Sequence, residues 1–274
     1  MPEKMASRRF RKTDPRIAVN LRAPLLGAAD PAVYRLCRPE GAAPYVITAD
    51  HAGRAIPGAL ASLGLAAADL DRHIAWDIGI AGLAEQLAER LDAFAILQAY
   101  SRLVIDCNRA PGTPQSIVAE SERTPIPGNA GLSAAEAEVR AAAIFHPYHG
   151  RIHAELDARA ASGRPTVLVA LHSFTPVFLG VARPWHCGVL YQRDARLGRL
   201  LLASARGEPG LVVGDNQPYA VSDATDYGIP VHGEQRGIAH VELEIRQDLI
   251  ADTAGQIVWA ERIARWLGEA LPAL

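Results

Sequence analysis

Apolar residues recur along the chain with two different periods. Short, nearly continuous aliphatic runs cover residues 44–50, 94–98, 103–107, 166–174 and 187–192, with a weaker one at 211–214. Runs of this length, rich in β-branched residues, predict strands buried on both faces. Residues 239–246 alternate instead, with Glu242, Glu244 and Arg246 on one face. Between the strands, Ile80, Leu83, Leu87 and Leu91 form a helical stripe over 78–93. Ser133 and Glu136 have the spacing of a capping box, opening a helix that ends near Gly163 and that Pro147 should kink or restart. A last helix begins at residues 253–256 and buries Trp259, Ile263, Trp266 and Leu267. Strands alternating with amphipathic helices predict one α/β domain, a mixed, largely parallel sheet with helices on both faces. The domain is expected over 44–274, behind a tail and irregular lead-in at 1–43. The proline- and glycine-rich stretch 110–131 is too long for an ordinary connection and reads as a loop able to act as a lid.

Composition narrows the partners. A chain of 274 residues, 49% hydrophobic and 21% charged with net charge −2, gives no electrostatic reason to expect nucleic acid or an anionic membrane. No run approaches the roughly 18 apolar residues that span a bilayer. Cys37, Cys107 and Cys187 are an odd, unspaced set that suits a reducing, cytoplasmic setting better than a disulfide scaffold. The expected assembly is a monomer or small homo-oligomer. The basic segment Met1–Asp14 reads as a solvated tail.

Chemistry concentrates where strands stop. His51 follows the first buried run and His172 ends the central one, placing two imidazoles at the sheet rim where open α/β sheets bind ligands. Two histidines and one carboxylate would leave a coordination position open for water. Asn108-Arg109 suits a bidentate grip on a substrate carboxylate. Glu244, on a strand otherwise reading as core, is costly to bury without a role and could serve as a general base. Arg102 could polarise the scissile carbonyl or pair with Asp106. A rival metal site at His149 and His153, spaced i, i+4, lacks the glutamate of an H-E-x-x-H helix.

Taken in order, His51-Ala-Gly, Ile56-Pro57, Ser101-Arg-Leu-Val-Ile-Asp-Cys-Asn-Arg109, His146-Pro-Tyr-His149, Gly214-Asp-Asn216 and Glu244-Ile-Arg-Gln247 resemble the blocks of the N-formylglutamate amidohydrolase family. That family is related to the zinc carboxypeptidases and aspartoacylases. The resemblance covers roughly residues 44–250. It implies a zinc-carboxypeptidase-like fold and a Zn²⁺ ion on His51, His172 and an acidic residue. It also implies Glu244 as base, with Asn108 and Arg109 on the substrate. Arg54 stands where the carboxypeptidase pattern H-x-x-E carries its ligand, so the third ligand comes from elsewhere: Asp77, unless it caps the helix that follows, with Asp50 as the fallback. Cleavage of a small N-acyl amino acid is the implied reaction, with N-formyl-L-glutamate the first candidate. A second substrate carboxylate would need another cation, for which Arg123, Arg236 and Arg246 are available. His149, Asn216, Tyr219 and His232 are further candidates for the pocket. The alternatives are a non-catalytic metal- or small-molecule-binding protein on the same fold, and a carboxypeptidase acting on peptides.

Overall fold

The structure, a computed structural model, describes residues 24–274. The expected basic tail lies outside the described residues. The strands are β1 (Tyr34–Cys37), β2 (Tyr45–Ala49), β3 (Phe94–Gln98), β4 (Glu120–Ser121), β5 (Thr124–Pro125), β6 (Val167–Phe174), β7 (Val177–Phe178), β8 (Val181–Ala182), β9 (Cys187–Leu190), β10 (Val213–Asp215) and β11 (Ala239–Arg246). The α-helices are α1 (Ala67–Leu70), α2 (Ile80–Leu91), α3 (Ala134–Arg140), α4 (His146–Ala161), α5 (Arg196–Arg206) and α6 (Thr253–Ala270).

A seven-stranded sheet runs β1-β3-β2-β6-β11-β9-β10. Pairing is parallel from β3 through β2 and β6 to β11, antiparallel at β1–β3 and β11–β9, and parallel again at β9–β10. The mixed, largely parallel α/β architecture is as expected. Because strand side chains alternate between faces, odd positions of β6 and β11 (Val167, Val169, Leu171; Val241, Leu243, Ile245) join one core with α2, α5 and α6. Leu168 and Ala170 on the even side of β6 join the other core, with Phe145, Tyr148 and Ile152 of the α3–α4 region. His172 on β6 and Glu242 and Glu244 on β11 have the same even parity. They continue an apolar face as a polar one toward the carboxyl ends of two parallel strands.

Pro147 acts as expected. Residues Ala141–Phe145 form a π turn between α3 and α4, with the His146 N–H donating to Ala141 O. The proline then sits in the first turn of α4, where its missing N–H costs nothing.

Two expectations need correction. The lead-in segment contains β1, an antiparallel edge strand against β3. Residues 103–107 are buried but form turns, not a strand. Val104 N donates to Ser101 O, Leu103 N to the Ser101 hydroxyl and Asp106 N to Ser116 O, so local and loop acceptors replace a ladder. Continuous apolarity reported burial correctly and hydrogen bonding wrongly. Helix α5, with Leu197, Leu201, Leu202 and Ala205 buried, is an element beyond those expected. The long loop 110–131 carries the small hairpin β4–β5.

Candidate active site

Three segments converge at the carboxyl end of the sheet. His51 follows β2 directly; the next turn lies so close to β3 that a Cβ on Gly53 would fall 2.0 Å from Ala99 O. Asp77 is held by its own N–H, which donates to His51 O at 2.9 Å. Ser173 fixes the other side, its N–H reaching Asp77 Oδ2 at 3.1 Å and its hydroxyl reaching Ile78 O at 2.9 Å. Asp77 is therefore not the cap of α2. That position is Gly79, in the left-handed region at φ 83° and without a side-chain cap, where a Cβ would lie 2.1 Å from Ile250 O.

His51 Nδ1 lies 3.6 Å and His172 Nδ1 3.1 Å from the same oxygen, Asp77 Oδ2, with all three residues buried. These separations are close to the edge of a tetrahedron whose ligands sit about 2.0–2.1 Å from a central ion. The far side of His51 donates from Nε2 to Asp106 Oδ1 at 2.7 Å, which leaves the Nδ1 lone pair facing inward. His51 Nδ1 is a fully buried atom without a hydrogen-bond partner. A carboxylate behind a histidine is the usual support of a metal-ligating ring. The donor set of two imidazoles and one carboxylate suits a divalent transition metal, and the residues present fit such an ion.

Arg102 bridges the cluster, donating to Asp77 Oδ1 at 3.2 Å and to Asp106 Oδ2 at 3.0 Å. It is placed by Ser101 and Arg102 themselves, whose hydroxyl and N–H both donate to Ala75 O. Burial favours the neutral forms of Asp77 and Asp106, yet His51 acts on both, with His172 and Arg102 on Asp77 and Arg102 on Asp106, to hold them well below the usual carboxylate range. Burial also works against a charged His172, but Glu242, Asp77 and Glu244 push it up to about 10. Burial pushes Glu242 up to about 7 and Glu244 well above the carboxylate range. Carboxyl groups outnumber arginines along the cavity wall, with Asp77, Asp226, Glu242 and Glu244 against Arg102 and Arg109, as suits a place for a cation.

A cavity of about 300 Å³ opens beside these groups. It is lined by His51, Asp77, Arg102, Asn108, Arg109, His172, Ser173, Tyr219, Ala220, Thr225, Asp226, Glu242 and Glu244. Expected residues brought together are therefore His51, Asp77, His172, Arg102, Asn108, Arg109, Tyr219 and Glu244. Asn108 is there, but its amide is already engaged. Its Oδ1 accepts from Tyr227 N and Gly228 N, and its Nδ2 donates to Asp226, so it holds the 226–228 segment rather than facing a ligand freely.

Other candidates do not line this cavity. Arg123 is exposed at the β4–β5 turn, Arg246 pairs with Asp248, and Arg236 pairs with Asp157 and with His153 Nδ1. Asn216 accepts from Tyr191 N at the turn after β10. His149 and His232 are buried in mutual contact, with His149 Nε2 on Cys107 O. Asp50 accepts from the Tyr148 hydroxyl at 2.6 Å. The His149–His153 pairing gathers no metal-ligand group among the described residues; the one such group there is His51, Asp77 and His172. Sequence reasoning missed Asp106 as the partner of His51, and Glu242. Alternation along β11 could have found Glu242, since it shares a face with Glu244.

The model of a family described as N-formylglutamate amidohydrolase matches residues 43–251, a span that contains every residue of the cluster. A search of curated proteins found no match. Among solved structures, a gene product of Agrobacterium tumefaciens is 35% identical, covering 91% of this chain and 98% of its own, with a TM-score of 0.88. An N-formylglutamate amidohydrolase from Ralstonia eutropha shares the fold at 22% identity, covering 87% and 99%, with a TM-score of 0.66. With the family pattern spanning the strands, turns and loops that build the cluster, the chain belongs to the N-formylglutamate amidohydrolase family of hydrolases, which act on carbon–nitrogen bonds other than peptide bonds.

Proposed function

We propose that the protein is a metal-dependent amidohydrolase that cleaves a small N-acyl amino acid to the free amino acid and a carboxylate. N-formyl-L-glutamate is the first substrate to try. The observation that carries this reading is the convergence of His51 Nδ1 and His172 Nδ1 on Asp77 Oδ2 beside Glu244, in one cavity. The nitrogen and oxygen donors favour Zn²⁺, held by His51, Asp77 and His172. Such an ion would supply Lewis-acid activation, lowering the pKa of water from about 15.7 toward 7.

The chain's own residues supply the rest. Glu244 accepts a proton as water adds to the acyl carbon, then passes it to the amine nitrogen as the carbon–nitrogen bond breaks. Arg102 keeps Asp77 and Asp106 ionised while lining the cavity. Arg109, whose Nη1 donates to Asn108 O, keeps further N–H groups for the substrate α-carboxylate. A 300 Å³ cavity favours an amino-acid-sized ligand over a peptide.

Glu244→Gln tests the assignment. Metal content should match wild type while turnover falls about 100-fold or more. Near-wild-type turnover in that variant would remove Glu244 from the mechanism.

A further inference from the structure

The cavity has an unpartnered carboxyl group and no spare cation. Glu242 is 4% exposed, it lines the cavity, and its Oε2 is fully buried without a hydrogen-bond partner. An unpartnered buried carboxylate costs several kcal/mol, a cost relieved when an N–H donor arrives. The cations are already placed. Arg102 spends its two terminal nitrogens on Asp77 and Asp106. Arg109 lies 3.7 Å from Asp226 and is the one arginine left to meet an α-carboxylate. No other arginine or lysine among the described residues lines the cavity. Arg183 stacks over Phe178 and Tyr219 and donates to the Tyr219 hydroxyl. A second substrate carboxylate would therefore enter beside Glu242 with nothing to neutralise it.

We propose that Glu242 determines specificity by accepting an N–H group of the substrate. The preferred N-acyl amino acid then ends its side chain in a carboxamide or a cationic nitrogen, not in a second carboxylate. The inference rests on the amidohydrolase reading and names the substrate class for the same site.

N-formyl-L-glutamine and N-formyl-L-glutamate differ only at the group in question, and N-formyl-L-lysine adds a cation. With zinc-loaded protein, kcat/KM for the glutamine or lysine compound should exceed that for the glutamate compound by about 10-fold or more, the penalty for leaving a site's polar group mismatched. In Glu242→Gln, whose side chain offers both donor and acceptor, the preference should shrink to within about threefold. A wild-type preference for the glutamate compound would overturn the inference and leave the amidohydrolase reading intact. Hydrolysis of none of the three would overturn both. An undiminished preference in a folded Glu242→Gln protein, checked by zinc content and thermal unfolding, would overturn the role of Glu242. Should that variant not fold, the wild-type comparison still decides.

Discussion

Replacing Asp106 with Asn probes the support behind His51. The carboxylate accepts from His51 Nε2 at 2.7 Å and from Asn108 N at 2.8 Å through Oδ1, and from Arg102 at 3.0 Å through Oδ2. An amide cannot satisfy all three. With its oxygen toward His51 and Asn108, its NH₂ meets the Arg102 guanidinium, donor against donor. Flipped, its NH₂ meets His51 Nε2, which must then become an acceptor and move its proton to Nδ1, the atom that faces Asp77 and His172. Either state weakens a metal site at His51. Loss of such support typically lowers metal affinity 10–100-fold, or about 1.4–2.7 kcal/mol. The lost charge pairing with Arg102 should also lower the stability of the metal-free protein by about 3 kcal/mol. Zinc titrated into stripped protein against a chromophoric chelator reads the first effect, and urea unfolding reads the second. An Asp106→Asn protein that binds zinc within a factor of about two of wild type would refute the argument, because support of this kind is worth at least tenfold.

Two further predictions concern stability. Arg140, 1% exposed, donates to Val104 O, Asn129 Oδ1 and Gly128 O, tying α3 to the long loop; burial has pushed its pKa down to about 10. Arg140→Met should cost about 3 kcal/mol by urea unfolding, since it leaves buried acceptors unpaired; a loss under about 1 kcal/mol, the worth of one ordinary hydrogen bond, would contradict that. The buried pair His149 and His232 is held neutral, burial pushing the rings down to about 4 and about 2. Below about pH 6.5 the unfolded chain protonates these rings and the fold does not, so stability falls with pH at about 1.4 kcal/mol per unit per ring. Glu242 and Glu244, with raised proton affinity in the fold, act in the opposite sense, so the effect is read against His149→Asn, where they are common to both proteins. Wild type should lose about 3 kcal/mol relative to that variant between pH 6.5 and pH 4. Parallel curves would refute the assignment.

What the sequence made legible was local. His51 and His172 were readable because each ends a buried run, and Glu244 because it interrupts one. Their common face follows from strand parity. The role of Asp77 was not readable, since the choice between helix cap and cluster member depends on how residues 72–79 fold back onto β2 and β6. Tertiary pairing also decided Asp106, whose pairing with Arg102 the sequence offered but whose bond to His51, 55 residues away, it did not show. Arg123, Arg236 and Arg246 were picked by charge, and the structure shows them facing elsewhere, with Asp157 and Asp248 claiming Arg236 and Arg246. Residues 103–107 look like a strand to any reading of apolarity, because only Ser101 and Ser116 reveal where their hydrogen bonds go.

The proposed amide hydrolysis depends on an ion at His51, Asp77 and His172. The direct measurement is hydrolysis of N-formyl amino acids by chelator-stripped protein as zinc is titrated back. Activity should be negligible in the stripped protein and rise to a plateau at about one equivalent of zinc, the stoichiometry of a single three-ligand site. Full activity in protein shown by elemental analysis to be metal-free would contradict it.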